Sequence, residues 1–308
     1  VPYLTGYSVG IIPLRGEFVN VPCLLRASLR LKFWRGKLIQ CYADTFIEVS
    51  SPKVIITFID NNVGFYDISK RFPTTKTIFL QNGLRGELGD VFGHLVKSDS
   101  YHVDYMLVHG EAIGRHYQKF ISGQVIAVGS LLSNHIKKVD KVANGTVLFI
   151  SQYHDKPEDD APFWIEPDGT PIHWHQFFAA DIQALSFLSK WCAENNKFLR
   201  ICGRKSEKNH TEKFFYANIL KGCEWEYISK MNVYSSYELV DASEIVVSVD
   251  STLVYEAMGR GKKVAIFSCR GARLNNEATK FGWLTDFPEN GPFWTNDADE
   301  RQFRRVMN

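Results

Sequence analysis

Short apolar runs, each closed by a polar or glycine-bearing turn, recur along the first half of this chain. KVIITFI (Lys53–Ile59) ends at Asp60-Asn61-Asn62-Val63-Gly64, and KTIFLQ stops at Asn82-Gly83. DYMLV (Asp104–Val108) breaks at His109-Gly110, and QVIAV (Gln124–Val128) ends at Gly129-Ser130. Runs apolar at consecutive positions predict strands buried on both faces, as in a parallel sheet covered by helices. FYDISKRF and AIGRHYQKFI fill the intervals as helix candidates. The pattern restarts after the polar stretch KKVDKVANG with TVLFISQY, KFLRICG, EIVVSV and KKVAIFS. Between the first two of these lies a helix over Trp174–Asn195, with Phe178, Ile182, Leu185, Leu188 and Trp191 along one side. Strands alternating with helices twice over predict two Rossmann-like α/β domains, residues 1–140 and 141–308.

The chain is organised around SVDSTLVYEAMGRGKKVAIFS, Ser248–Ser268. A buried strand breaks at Asp250-Ser251-Thr252, whose side-chain oxygens can cap a helix from Leu253 to Met258. Gly259 and Gly261 end that helix and a second buried run follows. In an open parallel sheet such a helix N-terminus points into the crevice at the strands' carboxyl edge, where it favours an anion. Ser251 and Thr252 then meet a phosphate, and Glu256, one turn on, accepts from a ribose diol. The plainer alternative is a capped helix with a solvated Glu256.

This segment resembles the donor-binding segment of GT-B nucleotide-sugar glycosyltransferases, and within them the β-Kdo transferases of bacterial surface polysaccharide synthesis. FLQNGLRGE (Phe79–Glu87) and the paired α/β halves strengthen the likeness. It implies a GT-B enzyme with an acceptor-side first domain, a donor-binding second domain and a cleft between them. CMP-Kdo is the implied donor, with UDP- and other nucleotide sugars as alternatives. No cofactor is implied beyond the nucleotide-sugar substrate, and the partner is a glycan or lipid-linked glycan acceptor. A non-hydrolysing sugar-nucleotide epimerase shares the Ser-x-x-x-Glu type of segment. A non-enzymatic nucleotide- or glycan-binding module is the third reading.

Catalytic chemistry is sought in the loops at the strand ends. In QNGLRGE, Arg85 is suited to a carboxylate or phosphate and Glu87 to orienting or deprotonating an acceptor hydroxyl; an Arg–Glu pair fixing the turn is the alternative. The long loop HDKPEDDAPFWIEPDGTPIHWH carries Asp155, Glu158, Asp159 and Asp160 with His154, His173 and His175. A carboxylate there, Asp160 first and Asp159 second, acts either as a general base with inversion or as a nucleophile with retention. Arg204 and Lys205, after KFLRICG, are placed to neutralise a leaving phosphate, and His210, Arg270 or Arg273 can add to that contact.

Composition narrows these readings. The 308 residues carry 36 Lys and Arg against 34 Asp and Glu, a net charge of +2 with no basic block, which argues against nucleic acid. Six scattered Cys in apolar contexts read as free thiols of a reducing compartment. His94, His102, His109 and His116 lack the spacing of a zinc site, so no metal is expected; His109 alone directly follows a strand. Val21–Ile39 is apolar and basic, and Leu24, Leu25, Leu29 and Leu31 predict a helical stripe with Arg26, Arg30, Lys32, Arg35 and Lys37 outside. Such a surface suits either plain solvation or peripheral association with a membrane or a lipid-linked acceptor. No run reaches transmembrane length and no signal peptide is visible, so a cytoplasmic protein is expected, with the inner membrane face as its place of work. Beginning at Val1 and ending after RQFRRVMN, the chain can also be part of a larger polypeptide or complex.

Overall fold

The computed structural model describes residues 4–12, 19–83, 85, 99, 101–139, 143–166, 168–206, 210–221, 223–232, 234–274, 281 and 287–308. Packing gathers the chain into two units. One comprises residues 1–80, 97–107 and 118–125, the other 81–96, 108–117 and 126–308. The first half builds a sheet from β1 (Val54–Thr57), β2 (Lys76–Leu80), β3 (His102–Val108) and β4 (Ser122–Ala127), in that spatial order. β1, β2 and β3 are parallel, with Ile56 beside Ile78 and Ile78 beside Tyr105. The Asp104 carboxylate, anchored by Lys76 Nζ at 2.6 Å and Thr77 N at 2.9 Å, fastens β3 to β2.

Among the described residues three helices precede β1: Val21–Ser28, Leu31–Trp34 and Leu38–Ser50. Asn20 caps the first, accepting from Cys23 N at 3.0 Å. The expected leucine stripe is present, but it faces the other way. Cys23 and Ala27 are buried, whereas Leu25 is 63% and Leu29 86% exposed. Small residues on the opposite side let this helix lie close to the Leu38–Ser50 helix, and that contact turns the leucines outward.

The second half is a six-stranded parallel sheet. Its strands are β5 (Ala143–Ile150), β8 (Phe198–Cys202), β9 (Trp225–Ile228), β10 (Ser243–Ser248), β11 (Lys263–Phe267) and β12 (Trp294–Thr295). A small antiparallel hairpin of β6 (Trp164–Ile165) and β7 (Pro171–Ile172) sits within the long loop after β5. The order β12-β11-β10-β5-β8-β9 starts at a central strand, winds outward to β9, and crosses back to β10 on the other side. This is doubly wound topology, and β5 and β10 flank the point where the winding reverses.

The period of two in a strand divides the core. Val147 and Phe149 of β5 join Leu199, Ile201, Val247 and Phe267 on one face, under the helices Ala179–Glu194, Thr211–Ile219 and Glu300–Met307. Leu148, Ile150, Val246 and Ile266 face the opposite layer with Val240, Val254 and Ala257 of the helices Ser235–Ala242 and Thr252–Gly259. The helix expected over Trp174–Asn195 breaks at Phe178 into Trp174–Phe177 and Ala179–Glu194. Its buried face runs through Asp181, Ala184, Leu185 and Leu188, which leaves Ile182 at 36% exposure. Asp181 turns inward because it meets the buried Arg270 at 2.9 Å. No described helix is long and apolar enough to cross a membrane.

Candidate nucleotide site

Where doubly wound sheets reverse, the loops leaving the two flanking strands part and open a crevice at their carboxyl ends. Here a cleft of about 410 Å³ lies at that point. Ile150, Ser151, Gln152 and His154 line it after β5, Cys202, Gly203 and Arg204 after β8, and Asp250, Ser251 and Leu253 after β10. Lys230, Ser236 and Phe177 complete the wall. Gln152 Oε1 is buried and has no hydrogen-bond partner among the described residues, a costly state for an acceptor unless a ligand supplies a donor.

The helix Thr252–Gly259 begins with Ser251 as its cap. The Ser251 hydroxyl accepts from Leu253 N at a long 3.4 Å, and Ser251 N itself donates to Ser248 Oγ at 3.0 Å. Some of the helix's first N–H groups are thus engaged internally, so an anion would draw on the helix dipole and on nearby cations. Half-buried Glu256 lies one turn in, and its carboxylate accepts from the Tyr237 hydroxyl. Burial, reinforced by that carboxylate, pushes the Tyr237 phenol well above its usual range. Glu256, Thr252 and Lys205 are not among the residues that line the cleft.

Arg270 does not turn toward the cleft. Its guanidinium donates to Asp250 at 2.6 Å, to Asp181 at 2.9 Å and to the Phe177 carbonyl, and it stacks 4.0 Å from the centre of the Phe177 ring. Arg270 therefore builds the wall from behind by fixing Asp250 and Phe177. Arg273 binds Gln183.

The turn after β8 is shaped by Glu212, a fully buried carboxylate. It accepts from Arg204 N at 3.0 Å, Lys205 N at 2.8 Å, Tyr227 Oη at 2.9 Å and the Ser151 hydroxyl. Successive backbone N–H groups are thereby drawn inward, and the Arg204 and Lys205 side chains are left pointing out. Gly203 is held close above Tyr227, where a Cβ would come within 2.4 Å of the phenolic oxygen. Arg204 meets His154, and Lys205 pairs with Asp155 at 2.6 Å. Desolvation, then the charges of Arg204 and Lys205, hold His154 below the usual imidazole range against the opposing pull of Asp155.

The acidic loop is tied to the same corner. Asp155 also accepts from Thr211 Oγ1 at 2.7 Å, and Trp174 Nε1 donates to the His154 carbonyl at 2.7 Å. Phe163 packs 4.9 Å from Phe177, so this loop aromatic locks the loop to the core. Glu158–Asp160 form a single turn in which Asp159 is exposed and left-handed, φ 54°. Asp159 is not among the residues that line the cleft, and the Asp160 side chain lies outside what the structure describes.

In the first motif, Gln81 Nε2 donates to Gly83 O at 2.8 Å while Gln81 Oε1 accepts from His109 N at 2.9 Å. The buried Gln81 thus joins two strand-end turns. A Cβ on Gly83 would lie 3.5 Å from Thr252 Oγ1, so this turn reaches the helix start. Arg85 is half-buried; Glu87 lies outside the described residues. Among the described residues no cluster of three or more His, Cys, Asp or Glu could hold a metal.

Of the expected residues, Arg204 and Ser251 share the cleft. Glu212, Gln152, Lys230 and Ser236 were missed. Lys230 follows β9, and the pattern WEYI-S-K offered the same strand-then-polar-turn signal as its neighbours. Glu212 gave none, because its partners are distant in sequence.

Two α/β units with parallel sheets, the second doubly wound, define a GT-B fold of two Rossmann-like domains. A Listeria monocytogenes crystal structure described as a "putative UDP-N-acetylglucosamine 2-epimerase" shares the fold, with a TM-score of 0.51 and 9% identity over 86% of this chain. The chain spans 66% of that protein, just under two thirds of its length. A Rickettsia africae glycosyltransferase is matched over 97% of this chain and 73% of its own at a TM-score of 0.46 and 9% identity. The E. coli heptosyltransferase WaaC with ADP-2-deoxy-2-fluoro heptose is matched over 92% and 79%, with a TM-score of 0.39 and 12% identity. No curated protein matches the sequence. The chain belongs to the family described as "putative O-antigen biosynthesis protein", whose model matches residues 78–308.

Proposed function

We propose that this chain is a glycosyltransferase of O-antigen assembly whose nucleotide-sugar donor occupies the cleft between the β5 and β10 turns. One observation carries the reading: a cleft at the winding reversal presents Arg204, Lys230 and the Ser251-capped helix start together with the unpaired, buried Gln152 Oε1. Cations and a helix N-terminus suit phosphates; a buried acceptor suits an amino or hydroxyl donor on the base or sugar. In this reading Arg204 and Lys205 stabilise charge on the departing phosphate, Ser251 and Thr252 hold it, and Glu256 meets the ribose. Arg85 and Glu87 serve the acceptor, and Asp160 or Asp159 supplies the nucleophile or base. CMP-Kdo remains the proposed donor, with retention of configuration. Family membership supports the surface-glycan acceptor.

Calorimetry with CMP, UDP and GDP tests the site and ranks the donor base. Glu256→Gln is expected to weaken nucleotide binding by about 1–3 kcal/mol, the scale for losing a hydrogen bond to a charged group. Unchanged affinity removes Glu256 from the site, and no binding of any nucleotide ends the proposal. The epimerase reading is separated by incubating donor without acceptor, since only an epimerase converts the sugar there.

A further inference from the structure

We infer that the outward face of the first helices is a docking surface for an anionic lipid bilayer. The inference is independent of the donor chemistry and rests on the orientation of residues 19–43. Along Val21–Ser28, the apolar Val21, Leu24 and Leu25 fall on one exposed side, and Cys23 and Ala27 on the buried side. The next turns continue the exposed set with Leu29 at 86%, Leu31 at 65%, Trp34 at 73% and Ile39 at 66%. A globular surface scatters such residues singly; a contiguous set marks an interaction site.

Charge identifies the occupant. Residues 19–43 contain Arg26, Arg30, Lys32, Arg35 and Lys37 and no acidic residue. Arg30 is engaged by Glu48, while Arg26, Lys32, Arg35 and Lys37 are exposed. Among the described residues, the acids that follow in the chain are already engaged, since Glu48 pairs with Arg30 and Asp44 pairs with Arg71 at 3.0 Å, while Glu17 lies outside them. Exposed leucines and a tryptophan beside exposed cations match the two requirements of interfacial binding: apolar side chains for the acyl boundary and positive charge for anionic headgroups. Long Lys and Arg stems let the charges stay at headgroup level while the leucines enter. A protein partner would have to be both apolar and strongly acidic to satisfy this face equally well.

The test is co-sedimentation of the chain with phosphatidylcholine vesicles and with vesicles containing phosphatidylglycerol. Binding is expected only to the second kind, weakening as salt rises. Each exposed cation contributes roughly a fivefold gain at such a surface, so Lys32→Glu with Arg35→Glu should lower binding about tenfold or more. Leu25→Ser with Leu29→Ser should do the same without changing Tm, because both side chains are already solvated. Lipids brominated on their tails should quench tryptophan emission, and Trp34→Phe should remove the quenched part. Equal binding to both vesicle types, or wild-type binding by both double variants, overturns the inference. A dimer in solution that Leu25→Ser with Leu29→Ser dissolves would also overturn it, by assigning the face to a second copy. Failure here leaves nucleotide binding untouched, so the two readings fall separately.

Discussion

Glu212 shows how one buried carboxylate can prepare a site it does not touch. By collecting the N–H groups of Arg204 and Lys205 with the hydroxyls of Ser151 and Tyr227, it fixes the turns after β5 and β8 relative to each other. Glu212→Gln replaces an acceptor oxygen with an amide NH₂ that faces donors. It is expected to destabilise the fold by about 1–3 kcal/mol, read as a lower urea midpoint. Arg204→Ala should behave oppositely. Its side chain is exposed, so stability should shift by no more than about 0.5 kcal/mol, while turnover falls further than acceptor binding weakens. Equal loss of stability in both variants would mean that Arg204 is a structural residue. His154 adds a pH signature. Its imidazole is held below the unfolded value of about 6.5, so the fold favours the neutral ring. The stability this gives is complete above the unfolded pKa and is lost as pH falls through the folded one. In His154→Gln that part of the Tm–pH slope should vanish.

At the scale of elements, the strand-then-polar-turn rhythm made most of the parallel sheet legible, because strands buried on both faces must be apolar at consecutive positions. The Ser251 cap was legible for a local reason, since its partner Leu253 is two residues away. Long-range polar contacts left no such trace: Glu212 reads as an ordinary residue near a helix start, and Arg270 as a free cation in a turn. The leucines of Val21–Ser28 misled because periodicity gives the stripe but not which side meets the core. The loop between β5 and the Trp174–Phe177 helix read as one long acidic segment, yet it contains the β6–β7 hairpin and is pinned by Trp174. A pinned loop can present a carboxylate reproducibly. If Asp160 is the nucleophile, Asp160→Ala abolishes transfer and leaves nucleotide affinity nearly intact, and mass spectrometry with donor alone finds a sugar adduct on this loop. Inversion of the product would rule out the nucleophile role and leave Asp160, Asp159 or Glu87 as a base.

For the molecule as a whole, the stretch that follows β4 and precedes β5 is fastened by a buried ion pair. Arg260 donates to Asp241 at 2.5 and 2.8 Å and reaches the carbonyls of Ser133 at 2.9 Å and Ile136 at 3.2 Å, while Val139 N donates to Asp241 at 2.9 Å. Removing one partner of such a pair leaves a buried charge without compensation, at a cost of about 3–5 kcal/mol. Arg260→Met is expected to lose that much, and adding Asp241→Asn should restore part of it. The pH dependence distinguishes this from simple loss of packing. Burial pushes Asp241 upward, but the Arg260 hydrogen bonds, the Val139 N–H and the charges of Arg260 and Lys262 outweigh it and hold the carboxyl below its ordinary value. In the wild type its contribution is therefore complete above about pH 3.9, the unfolded value, and is lost as pH falls through the lower folded one. Without Arg260, burial acts unopposed by the guanidinium and the carboxyl pKa rises. The variant's deficit should then be largest at neutral pH and shrink as acid neutralises Asp241. Denaturant melts of both proteins from neutral pH down toward pH 4 measure this directly. A deficit that stays constant across that range, or that Asp241→Asn fails to reduce, would show that Arg260 holds this segment by shape rather than by charge.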